Sequence, residues 1–176
     1  MQIVRPFILA VFAAICGSSL AASLSFADRT RVVAGAQQIL YAAHHGDAQT
    51  VAIHTSHLIA RLGVPVDSIL AMTQGAMAQT AAEGVSLDGA ELGSPSTSYE
   101  VDGIKFCFIP YRQELHTPAH KGRSFGFFIA VLEDPKGEWA YLDGSRLVAH
   151  PGALEKLFPG LHSDVELPES RNEFDN

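Results

Sequence analysis

The sequence predicts an α+β fold in which N-terminal helices pack on a curved antiparallel sheet of about four to five strands, a cone-like, cystatin-like plan. Three observations predict it. Three stretches of helical period come first. Runs of period two follow them, and short turn signals join those runs into an antiparallel meander.

The elements are justified in chain order. Met1 to Arg5 is positively charged, and an uncharged run from Pro6 to Ala27 follows, densest in apolar residues between Phe7 and Ile15. Small residues then accumulate: Gly17, Ser18, Ser19, Ala21 and Ala22. This is the charged, apolar and small-residue order of a secretion signal. Residues 1–27 are therefore read as a cleavable leader, cut after Ala21, Ala22 or Ala27, with Ala22 and Ala27 preferred. The dense apolar core is about half the roughly 20 residues a membrane span needs, so no permanent span is expected. Cys16 follows Ile15, not the small residue that a lipid-attachment cysteine favours, so lipidation is not expected.

Residues 28–167 are read as a single α+β domain. From Thr30 to His45, Val32, Val33, Ala36, Ile39, Leu40 and Ala43 form a one-faced stripe, and Gly46 ends it. Asp47 caps a second helix with its stripe at Ala48, Val51, Thr55, Leu58, Ile59 and Leu62. Pro65 opens a third, with Val66, Ile69, Leu70, Thr73 and Met77 on one side, closed by Gly84. The pattern then changes. Val85 to Leu87 alternates briefly, and Gly93 to Ser96 is a turn. Thr97 to Val101 and Ile104 to Gln113 flank Asp102-Gly103 and read as a hairpin, because Asp-Gly suits the primed two-residue turn. Both faces of its second strand are apolar, which makes that strand central. Leu115 to Arg123 reads as a polar loop, Ser124 to Leu132 as a strand, Asp134 to Gly137 as a turn, and Trp139 to Leu142 as the returning strand, ended by Asp143-Gly144. Pro151 opens a short helix through Phe158. Residues 168–176 are polar and acidic, and read as a flexible tail. The helices are expected to cover one face of the sheet.

Charge and thiols narrow the function. The chain has 12 Lys+Arg against 19 Asp+Glu, a net charge of −7. Loss of the leader removes Arg5 and no carboxylate, so the exported chain is more acidic still. The basic residues are scattered, which argues against nucleic acid or anionic lipid as partners. The leader takes one of two cysteines with it, leaving Cys107 in an apolar run, where it reads as a small buried hydrophobe. No internal disulfide can form in the exported chain. No Gly-x-Ser-x-Gly elbow, phosphate loop, dinucleotide fingerprint or His-Glu-x-x-His pair occurs, and no cofactor is expected.

Gly46-Asp47, the helix end Leu58 to Gly63, the run Gly137 to Gly144 and the ending Leu154 to Pro159 resemble small exported proteins of the nuclear-transport-factor-2-like superfamily. That superfamily also holds SnoaL-like cyclases and ketosteroid isomerases. The resemblance implies a helix-backed curved sheet enclosing a pocket, and dimers through the sheet face. It implies no particular chemistry, because the superfamily mixes enzymes with ligand-binding and structural members.

Several residues are candidates for function. His54 lies at the border of its helix's apolar stripe and His57 faces outward, three residues on. Together with His116 and His120 they make a composite metal site conceivable, but solvated surface histidines are the simpler reading, and no metal is expected. His54 is also the one candidate for a general base, with Asp143 to orient it. Tyr99, Tyr111 and Trp139 fall on strands, and with His54 form the candidate ligand-binding set. The sequence thus points to an exported, periplasmic or secreted, non-catalytic domain that binds a small apolar molecule or a protein partner. Two alternatives stand beside it: an isomerase, dehydratase or cyclase using His54, and a structural homodimer.

Overall fold

A computed structural model describes residues 21–148, 150–159 and 165–175. Residues 1–20, most of the expected leader, lie outside the described residues. Helix α1 spans Phe26–His44. It starts ahead of the expected Thr30, because the Ser25 side chain caps it by accepting the Asp28 amide at 3.0 Å. Helix α2 spans Ala48–Ala60, and α3 spans Val66–Ala82. The Asp47 carboxylate caps α2 from the Thr50 amide (3.1 Å) and hydroxyl (2.7 Å), which holds its pKa below the usual aspartate value.

Six strands follow the helices, one or two more than expected: β1 (Ser86–Leu92), β2 (Tyr99–Val101), β3 (Ile104–His116), β4 (Lys121–Leu132), β5 (Ala140–Asp143) and β6 (Arg171–Phe174). All pairings are antiparallel. β3 and β4 run together from Lys105↔Leu132 to His116↔Lys121, so they form the spine of the sheet. β1 and β2 both pair with β3, and β5 and β6 both pair with β4. The β2–β3 turn is as expected. Asp102 (φ 52°) and Gly103 (φ 78°) are both left-handed, the conformation a primed turn requires.

Four expectations are corrected. The loop from Leu115 to Arg123 shrinks to a tight turn, closed by the Thr117 amide donating to the His120 carbonyl at 2.8 Å. Leu115 is buried beside Gln113 on one face, while Arg112 and Glu114, alternating with them, are exposed, so the strand is real although its composition is polar. Asp143-Gly144 does not simply end β5. It starts a short helix α4 (Gly144–Val148), with Asp143 Oδ1 accepting the Ser145 amide at 3.0 Å. Helix α5 (Pro151–Leu157) follows as expected. The third correction is the tail. Arg171 to Phe174 is not frayed but pairs with Gly122 to Phe125. It needs no apolar stripe, because backbone pairing is reinforced by the Arg171 guanidinium 4.3 Å above the Phe125 ring and by Arg171–Glu173 at 3.0 Å.

The fourth concerns layering. Helices cover both faces of the sheet, not one. Cys107, Ile109, Phe128, Ala130 and Tyr141 face α1 through Val32, Ala36, Ile39 and Leu40. Phe106, Phe108, Phe127, Ile129 and Leu142 face the other way and pack with Leu157, Phe158 and Leu58. The apolar two-faced spine demands this, since leaving either face in water would cost about 25 cal/mol for each Å² of apolar surface. Among the described residues no helix is long and apolar enough to cross a membrane.

Candidate functional site

The candidate ligand-binding residues are not gathered in one place. His54, Tyr111 and Trp139 lie toward the α1 face. Tyr99 lies on the opposite face, stacked on Phe106 with ring centres 5.5 Å apart. On the α1 side a row of rings runs from His54 to Tyr141 (6.2 Å), on to Phe128 (6.3 Å) and on to Tyr111 (5.1 Å). These side chains therefore occupy the space between helix and sheet. The row depends on Gly35 in α1: a methyl group there would overlap the Tyr141 hydroxyl. That hydroxyl donates to the Val32 carbonyl at 3.0 Å. Burial pushes the Tyr141 phenol pKa up, with further help from nearby Cys107. Trp139 is buried in the same cluster.

Asp143 serves other partners than His54. Its Oδ1 caps α4 and accepts a long contact from the Tyr111 hydroxyl at 3.4 Å. Burial raises the Tyr111 pKa, and the Asp143 charge adds to the effect. Among the described residues His54 forms no hydrogen bond to a carboxylate or phenol. Cys107 is fully buried, and desolvation pushes its pKa up to about 12, so it stays a thiol at neutral pH.

The four histidines do not form a metal centre. His54 and His57 are on α2, half-buried and exposed respectively, while His116 and His120 border the β3–β4 turn. His116 Nε2 approaches Glu114 at 3.8 Å, and the His120 ring lies 5.7 Å from that of Phe174. Among the described residues no group of three or more His, Cys, Asp or Glu side chains is placed to hold a metal ion.

Another surface stands out, and the sequence reading did not single it out. The apolar side of α3 is mostly uncovered. Only Ile69 is buried; Met72 is exposed on another side of the helix, two residues from Leu70, whereas Val66 and Leu70 are exposed on this one, Val66 at 57 %. Ile53 of α2, 64 % exposed, lies beside them. Between the helices runs a shallow groove of about 200 Å³, lined by Ala52, Ile53, Val66, Ile69 and Leu70 with Gln49 and Ser56. α2 carries no Asp, Glu, Lys or Arg, and α3 carries only Asp67, in a chain with 31 such residues if 12 basic and 19 acidic are counted together. That absence of charge is the sequence signal for this face. No protein-family model, no curated protein and no solved structure matches the chain.

Proposed function

We propose that this protein is an exported, non-catalytic domain that works by association, and that its α2–α3 face joins a second copy of the chain. The observation that carries the reading is the uncharged, apolar and uncovered side of α3. Isolated exposed apolar residues are ordinary, but a contiguous group of them marks an interaction surface. The partner follows from charge. At −7, two copies repel over most of their surfaces. The α2–α3 face is where they can meet with the least repulsion. A two-fold axis along the α2–α3 groove would set Ile53, Val66 and Leu70 of one copy against the same residues of the other. The cone-type ancestry suggested by the sequence remains part of this proposal, supported by the order of helices before an antiparallel sheet.

Cross-linking tests it. Cys16 leaves with the leader and Cys107 is buried, so the exported chain has no reactive thiol of its own. Val66→Cys is expected to give a disulfide-linked dimer under mild oxidation, while Asp134→Cys, in an exposed turn, is not. Equal or absent cross-linking from Val66→Cys would reject the α3 surface.

A further inference from the structure

Residues on both sides of the expected leader junctions are parts of the folded domain. Three junctions follow an alanine and have a small or tolerable residue three back: after Ala21 (Ser19), Ala22 (Leu20) and Ala27 (Ser25). They differ in what they would take from the folded domain. We propose that cleavage falls between Ala21 and Ala22, with Ser19 and Ala21 read as the small pair before the bond; this rests on the export reading above.

The residues between the junctions are structural. Ala22 forms an antiparallel bridge with Ser98: its amide donates to the Ser98 carbonyl at 2.8 Å, and the Ser98 amide donates back at 2.8 Å. Ser98 is one of few buried polar residues, and its hydroxyl donates to the same Ala22 carbonyl at 2.9 Å. Leu24 is 7 % exposed and sits in the core with Val32, Ile39 and Trp139. Ser25 caps α1.

A cut after Ala27 would remove all of these at once. It would leave the Ser98 hydroxyl and amide without their partner, open the core at Leu24 and strip the cap. It would also place a charged α-ammonium at the first turn of α1, where the helix dipole disfavours a positive charge. A cut after Ala22 would spare Leu24 and Ser25 but break the bridge. Only the bond before Ala22 preserves every contact. The segment 22–27 is thus the first piece of the domain and not the last of the leader.

The full-length chain, expressed with its leader in a secreting bacterial host, decides the matter by N-terminal sequencing of the exported form. Ala22 as first residue is the expected result. Ser23 or Asp28 would overturn the assigned bond while leaving export intact, whereas an intact Met1 would overturn both. A second readout does not depend on sequencing. Leu24→Ala, introduced in the full-length precursor, is expected to lower the melting temperature of the exported protein by roughly 5–10 °C, as a large-to-small core change should. If Leu24 were discarded with the leader, the variant and the parent would melt together, and the proposal would fail.

Discussion

Two mid-helix glycines carry opposite consequences. Gly35 faces the sheet, and a methyl group there meets the Tyr141 ring and hydroxyl. Gly75 lies in α3 with nothing within 4 Å of where a methyl would stand. In an open helix, replacing glycine with alanine stabilises by about 0.5–1 kcal/mol, because alanine loses less freedom on folding. Gly75→Ala is expected to gain that amount. Gly35→Ala is expected to lose about 1–3 kcal/mol, because overpacking outweighs the helix preference. Chemical denaturation measures both. Tyr141→Phe alone should cost about 1 kcal/mol through its lost hydrogen bond to Val32. In the double variant part of the Gly35→Ala penalty should vanish, since the hydroxyl, the nearest atom it strikes, is gone while the ring remains. Strict additivity would mean that the α1–Tyr141 contact is not as close as described.

At the scale of elements, β6 carries the sharpest expectation. It covers the β4 edge from Gly122 to Phe125, which would otherwise present open backbone. A chain ending at Ser170 should lose amide protection over that edge by about tenfold or more, equivalent to roughly 1.4 kcal/mol of local opening. Hydrogen exchange of the two chains compares it directly, and unchanged protection there would contradict the pairing. The same elements mark what the sequence makes legible. The β2–β3 hairpin is legible because Asp102-Gly103 can hardly do anything else between two apolar runs. The α2 start is legible because Asp47 is a cap by chemistry. β6 is not, because its pairing is made by backbone and charged side chains, without apolar alternation. The start of α1 is hidden for a different reason: Ser25, Phe26 and Ala27 read equally well as the end of a leader and as a helix cap and first turn. The candidate site was less legible than the fold. Tyr99 and Tyr111 both fall on strands, but the register between β2 and β3 places them on opposite faces, and strand alternation in one segment cannot reveal how a second segment lines up with it.

At the scale of the whole molecule, the sheet is buried on both sides by its own helices, and α3 is the element left over. It packs on α2, extends its apolar side into solvent and carries a single charge. Under the proposed association, a second copy would cover that side. Light scattering on the chain from Ala22 onward over a range of concentrations is the most direct measurement. A mass of two chains is predicted for the parent, with Val66→Asp and Leu70→Asp together giving one chain of unchanged secondary structure. A mass of one chain at every concentration, or a dimer that survives both substitutions, would contradict the assignment of this face.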